Sequence, residues 1–373
     1  MRAGSDALKG VLKGGGFGTR LVVDSFYGAT RTAAGLGADG WDLKWDSEAK
    51  IKSGGTVTIV YSSDDGSTLV PRSFTDKLAV AGQEVNVALE VFTDGGFSER
   101  VQLGHYRVTA VPSSSESVVD VLGVPVVVSS RVSLTLEDRL IGVERKGFRS
   151  EQNPPSGATC WGELQRLSGL QVVRSVADKP VPSGTVYQAQ QGGVLKACEE
   201  IADALGGVPY ITPDGALSVL PDARGAVVAE LVLGDEGTII DLTDTMESEG
   251  IYNVVVGNFD DADRNPIYAV AQVTTGPFAV SSPYGEYTRY YASDFVKTKA
   301  AADSAVKAIL SQAQKGQSYR VPVQCIVNPL IEDGDMVSVE RRIGEPLIGR
   351  VVSHSLGSSN LMNLELDVVR ELV

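Results

Sequence analysis

Alternation with a period of two constrains this chain more than any other feature. In "TVTIVYS" (56–62), "EVNVALEVF" (84–92), "HYRVTAV" (105–111) and "RVSLTLEDR" (131–139), apolar and polar positions alternate and β-branched residues are frequent. Successive side chains of a strand point to opposite faces, so such segments suit antiparallel strands with one face in a core and the other in water. Between them, "SSDDGST" (62–68), "FTDGGFSE" (92–99) and "PSSSES" (112–117) carry turn chemistry and are expected as turns. Short, evenly spaced strands with glycine-rich turns predict a barrel or a sandwich.

The pattern changes after "RSEQNPPSG" (149–157). Ser156 is expected to cap a short helix that puts Trp161, Leu164 and Leu167 on one face. A second helix is expected in "QQGGVLKACEEIADALGG" (190–207), where Val194, Cys198, Ile201 and Leu205 share a face and glycines at 206 and 207 close the last turn. "VPYITPDGALSVLPD" (208–222) follows as two short strands joined at Pro213-Asp214-Gly215. Strands return at 225–234, 250–259 and 266–275. A third helix is expected in 293–314 with Ser293 as its cap, and the last strands run from 319 to 369.

Composition narrows the function classes. The 373 residues carry a net charge of −14, and no block of Lys and Arg offers the basic patch that phosphate neutralisation needs. An acidic wall can still surround nucleic acid, because repulsion prevents sticking. With 43% hydrophobic residues and a mean hydropathy of +0.02, the chain reads as globular and soluble. Its longest apolar runs, such as "VLGVPVVV" (121–128), fall far short of the roughly 20 residues a membrane-spanning helix needs. "MRAGSDALKGVLKGGG" at the start lacks the apolar core of a secretory signal. Cys160, Cys198 and Cys325 are scattered and odd in number, which predicts buried reduced thiols rather than a disulfide framework or zinc.

Several stretches invite chemistry. "KGGGFGTR" (13–20) lacks the Gly-Lys-Ser/Thr ending of a phosphate loop and is expected as a flexible N-terminal arm, able to order against a neighbouring subunit. "DDADRNP" (260–266) spaces Asp261, Asp263 and Asn265 as a calcium loop does, but Pro266 and Gln272 replace the required glycine and glutamate, so a solvated hairpin tip is expected and a weak calcium site at 261–265 stays open. His105 and His354 are the two histidines, each inside a strand-like pattern, and no G-x-S-x-G or H-E-x-x-H motif occurs. The 47 acids leave a paired-carboxylate arrangement open. In "VNPLIEDGDMVSVERRIGEPLIGRVVSHSLG" (327–357), Glu332-Asp333-Gly334-Asp335 reads as a turn entering a strand, with Gly334 at positive φ, and "RRIGEP" as the next connection.

The serial order of these features carries a resemblance. "TKAAADSAVKAIL", a polar strand, "PLIEDGDMVSVE", "GRVVSHSL" and a final strand resemble the C-terminal part of tail hub and baseplate hub proteins of long-tailed bacteriophages. "VLKACEEIADALGGVPYITPDGALSVLPD", "IYNVVVGNFDDADRNPIYAVAQ" and "SSPYGEYTRYYASDF" are similar to further segments of that family, and 1–150 is similar in pattern only. The resemblance implies a mainly β protein with α+β insertions: two antiparallel β-barrel domains plus small α/β peripheral domains, assembled as a ring-shaped homotrimer. The expected domains are 1–115 for the N-terminal barrel, 116–225 for an α+β insertion, 226–259 with 318–373 for the second barrel, and 260–317 for a peripheral insertion with a helix.

The function so implied is a structural virion protein at the tail tip, made in the host cytoplasm. It joins a distal tail protein or tail tube above to a central fibre or spike below, with the tape-measure protein inside and DNA passing without specific binding. No enzyme activity, cofactor, metal, membrane or catalytic residue is implied. Many such proteins continue into a lysin or fibre domain, whereas this sequence ends at Val373 after the last expected strand, so a bare hub is expected. Two alternatives stay open: a carbohydrate- or receptor-binding module with Trp41, Trp45 and Trp161 as candidate platforms, and a wall-degrading enzyme.

Overall fold

A computed structural model describes residues 1–62, 65–182, 184–234, 237–243, 252–261, 265–293, 296, 298–315 and 317–370. Strand accounts for 47% of the chain and helix for 14%, so the protein is mainly β. The chain divides into two compact units, Met1–Leu242 with Pro322–Leu366 and Thr243–Val321 with Asp367–Val373.

The first unit begins with helix α1 (Asp6–Gly14), which Ser5 caps by accepting from the Leu8 amide and Gly15 closes at φ 65°. Of the stretch 13–20 expected as an arm, Lys13 and Gly14 end this helix, 15–17 connect, and Gly18 onward belongs to the first strand. Six strands follow: β1 (Gly18–Tyr27), β2 (Thr30–Asp46), β3 (Ser53–Ser62), β4 (Gln83–Phe92), β5 (Ser98–Val121) and β6 (Val124–Asp138). Each pairs antiparallel with its neighbours in the order β1-β4-β5-β6-β3-β2, and β2 pairs back to β1, so the hydrogen-bonding path returns to its start. Alternation works as the sequence implies. Val85, Val87, Leu89 and Val91 of β4 and Val132, Leu134 and Leu136 of β6 all point into the core.

One expected turn is absent. "PSSSES" lies inside β5, where Ser113 to Ser117 pair with Ser133 to Ser129 of β6. The boundary expected after residue 115 thus falls within a strand. Polar residues suit this ribbon because its faces are wet. The chain reverses instead at Leu122-Gly123, both at positive φ (55° and 84°), the backbone of a two-residue hairpin turn.

A small α+β layer comes next: α2 (Leu140–Glu144), α3 (Cys160–Ser168), α4 (Gly193–Leu205), β7 (Gly207–Ile211) and β8 (Leu217–Pro221). Trp161, Leu164 and Leu167 of α3 pack with Val194, Cys198, Ile201 and Leu205 of α4 in one cluster. The cap of α3 is Thr159 rather than Ser156, its hydroxyl accepting from the Gly162 amide. Gly206 closes α4 at φ 95°. Strands β9 (Val227–Leu231) and β10 (Ile239–Leu242) then return to the large sheet.

The second unit holds β11 (Val254–Asp260), β12 (Pro266–Gln272) and β13 (Thr288–Ala292) in the order β12-β11-β13, with helix α5 (Lys299–Lys315) on one face. Val306 and Leu310 of α5 pack on Val255, Phe259, Ala269 and Ala271. The helix starts six residues later than expected, and Thr298, not Ser293, caps it by accepting from the Ala301 amide.

The chain ends with β14 (Gln317–Ile326), β15 (Met336–Val339), β16 (Leu347–Gly357) and β17 (Leu361–Arg370). Their order is β2-β16-β17-β14-β10, with β15 between β16 and β9. The β2–β16 pairing, Ser353 to Gly357 against Asp46 to Asp42, joins the N-terminal and C-terminal strands into one large sheet.

Candidate functional site: two buried carboxylate–histidine pairs

Both histidines that sequence reasoning singled out are buried, and each holds a carboxylate. His354 lies on β16 in phase with Val352 and Leu356, so its ring points inward. Its Nδ1 is 2.7 Å from Oδ1 of Asp333. Asp333 sits in the expected turn: Gly334 has φ 86°, and its amide donates to the Val351 carbonyl at 2.8 Å. Trp45, directly opposite His354 on β2, stacks on the imidazole with centroids 4.5 Å apart and planes 2° from parallel. On Trp45 lies the guanidinium of Arg2 at 5.3 Å. Arg2 also donates to the carbonyls of Pro329 (2.9 Å) and Ile331 (2.7 Å), which fastens the N-terminal segment to the turn. Burial pushes the Asp333 carboxyl above its ordinary range, against the pull of His354 and Arg2.

His105 on β5 uses both ring nitrogens. Nε2 lies 2.8 Å from Glu84 Oε2, and Nδ1 bonds Asn86 Oδ1. Arg139 donates to Glu84 Oε2 at 2.5 Å and to the Gly215 carbonyl at 2.9 Å, which ties the turn between β7 and β8 to the sheet. Burial alone would raise the Glu84 carboxyl, but hydrogen bonds from His105 and Arg139 outweigh it and hold it at about 2.

Between the two pairs lies a cavity of about 40 Å³, bordered by Arg2, Trp45, Lys52, His105, Asp138 and Asp333. That volume suits water and is several-fold below the few hundred Å³ of a small-molecule pocket. Asp138 accepts from the amides of Ser53 (2.7 Å) and Leu140 (2.8 Å), and burial still pushes it up to about 6. Three of the hydroxyls at the cavity have protein partners. Ser47 donates to the Val352 carbonyl, Ser53 to Asp138, and Thr212 accepts from the Ala216 amide. An imidazole–carboxylate pair activates a nucleophile only with that nucleophile in hydrogen-bond reach and with access to substrate. Among the described residues the hydrogen-bond partners of the two imidazoles are Glu84, Asn86, Arg139 and Asp333, none of them a hydroxyl or thiol nucleophile. The arrangement does the work of a joint: it locks β2, β16, the 329–335 turn and the β7–β8 hairpin together.

The remaining candidates fall elsewhere. Trp161 is 1% exposed and Trp45 8%, so neither offers a stacking platform, while Trp41 is half-buried with its ring nitrogen inside. The glycines of "KGGGFGTR" follow a helix rather than opening one, which removes the amide cradle a phosphate needs. Asp261 accepts from the amide (2.8 Å) and side chain (3.0 Å) of Asn265, closing the β11–β12 hairpin, and Asp263 lies outside the described residues. Cys160, Cys198 and Cys325 are buried free thiols, with Cys198 and Cys325 pushed up to about 12 by burial. Among the described residues no three His, Cys, Asp or Glu side chains gather as metal ligands would. Sequence reasoning missed Arg2, Glu84, Asp138 and Arg139. Asp138 was the readable one, because it extends the inward series Val132, Leu134, Leu136 by one more step of two.

No protein-family model matches the chain and no curated protein matches its sequence. Solved structures do share its fold. A tail protein from Neisseria meningitidis MC58 superposes with a TM-score of 0.57 at 15% identity, over 93% of this chain and 96% of that one. The 43 kDa tail protein of prophage MuSo2 from Shewanella oneidensis superposes with a TM-score of 0.54 at 13% identity, over 94% of this chain and 98% of that one.

Proposed function

We propose that this chain is a structural protein of a bacteriophage tail, and within the tail the hub at its tip. The observation that carries the reading is the shared fold, which covers 93–94% of this chain and 96–98% of two proteins described as tail proteins. The sequence order from the α5 helix through "PLIEDGDMVSVE" to "GRVVSHSL" supports the narrower placement. The buried histidine chemistry, which holds strands together, fits the broader structural role.

In this reading the cyclic β1–β6 set and the strand group β9, β10 and β14–β17 are the two barrel-like domains of each subunit. Three copies bring six such domains around an axis, which adapts a sixfold tube or distal tail protein to a threefold fibre or spike. The tape-measure protein and then DNA pass through the middle. A net charge of −14 suits a conduit that nucleic acid crosses without adhering. The protein is no enzyme in this reading and needs no cofactor. Sedimentation velocity of the purified full chain over a range of concentrations, together with immunogold labelling of virions, tests it. Trimers and label at one end of the tail are expected; a monomer at high concentration and unlabelled tail tips would overturn the proposal.

A further inference from the structure

A groove of about 490 Å³ runs between strand β9 and helix α1 in the first unit. All five residues of β9, Val227 to Leu231, border it. Side chains alternate along a strand, so a wall made of consecutive residues means that the groove follows the strand's edge. Among the described strands β9 pairs only with β15, in parallel, which leaves that edge's amides and carbonyls without a ladder partner. Val227 and Val228 are 39% and 42% exposed, while Leu12, Leu231 and Leu330 form a buried apolar floor. A free strand edge beside a helix is a geometry that accepts an added strand.

Charge says which kind of strand. Lys9 and Lys13 both border the groove and stand four residues apart on α1, where like charges repel. Lys9 reaches Asp6 at 3.0 Å, a carboxylate 99% exposed, and Lys13 has no acidic partner among the described residues. In a chain of net charge −14 these two lysines outnumber Glu230, the exposed acid that also borders the groove, and give the slot a local positive rim on the α1 side. We infer that the groove takes an extended, acidic segment of a partner protein, which adds as a strand to β9 and sets its carboxylates against Lys9 and Lys13. At about 3.3 Å per residue, β9 offers pairing for a five-residue strand. This inference is independent of the tail reading, since it rests on the edge, the floor and the lysines alone.

The test uses the full chain and a fluorescein-labelled, end-blocked peptide, Thr-Val-Glu-Val-Glu-Val-Thr, read by anisotropy. Saturable binding is expected, weakened by salt, reduced at least tenfold by Lys13→Glu and less by Lys13→Gln, and weaker again for the same peptide with Lys in place of Glu. Hydrogen exchange is expected to slow at 227–231 when the peptide is present. Equal binding of the Glu and Lys peptides, equal affinity of the Lys13→Glu protein, or protection confined to other strands would each overturn the inference. So would the absence of saturation at millimolar peptide. Protection of 227–231 that grows with protein concentration and excludes the peptide would assign the groove to a second copy of the chain instead.

Discussion

Trp45 and His354 are register partners on adjacent antiparallel strands, and their rings lie face to face 4.5 Å apart. Both are buried, and the pair sits where the N-terminal strands meet the C-terminal ones. Trp45→Ala removes the shared surface of His354 and Arg2 at once and is expected to cost about 3–5 kcal/mol, as large core aromatics do. Trp45→Phe keeps a stacking face and is expected to lose less than half of that. Urea unfolding followed by circular dichroism separates the two, and equal midpoints for wild type and Trp45→Ala would refute the role.

Asp138 gives the protein a pH dependence of defined sign. Its folded value of about 6, raised by burial, lies above its ordinary 3.8. The folded state therefore binds the proton more tightly than the unfolded one, and stability falls as pH rises from about 4 to about 6. That difference corresponds to about 3 kcal/mol. Asp138→Asn is expected to flatten this slope in unfolding free energies measured across the interval. A slope unchanged by the substitution would count against it.

Glu84 acts in the opposite direction. Its carboxyl is held at about 2 against an ordinary 4.5, so the stability it contributes is present above about 4.5 and lost as pH falls towards 2. Arg139→Met leaves this buried acid without its guanidinium partner and is expected to cost about 3 kcal/mol at neutral pH. Glu84→Gln with Arg139→Met is expected to be milder than Arg139→Met alone. A double-mutant cycle measures the difference, and simple additivity would refute the coupling.

Gly334 must remain glycine. At φ 86° a side chain is strained, and an added Cβ would lie 2.5 Å from Leu220 Cδ1. Gly334→Ala is expected to destabilise by about 2 kcal/mol or more. Adding Leu220→Ala relieves only the steric share, so the double variant is expected not to recover wild-type stability in thermal melts.

Leu122 offers the reverse experiment. It is fully exposed and held at φ 55°, a conformation that costs a leucine about 1–2 kcal/mol. Leu122→Asn, which tolerates the left-handed region, is expected to raise stability by about 1 kcal/mol. A melting temperature unchanged or lowered would show that the turn has another conformation in solution.

The fold was legible where a local rule decides alone. Alternation in 84–92 and 131–139 located β4 and β6, and Gly206 located the end of α4, because side-chain period and positive φ are properties of a few neighbouring residues. "PSSSES" misled for the same reason. Serine clusters usually mark turns, and nothing local reveals that Ser129 to Ser133 lie opposite to pair with them. The joint of Arg2, Trp45, Asp333 and His354 was unreadable because its members come from three distant segments, the N-terminus, β2 and the stretch 327–357. Each looked like an ordinary arm, strand or turn residue until pairing brought them together.

The hydroxyl of Ser47 donates to the carbonyl of Val352, 305 residues further along the chain. On the ribosome, at about 5–20 residues per second, β2 is made on the order of 15–60 s before the strand that covers it. Through that interval the early strands can pair among themselves, but the Asp42–Asp46 part of β2 lacks the partner that β16 later supplies and is open to whatever nascent chain is nearest. Yield in the cell should therefore depend on elongation speed and on chaperones that shield a waiting edge, more than on the stability of the finished molecule.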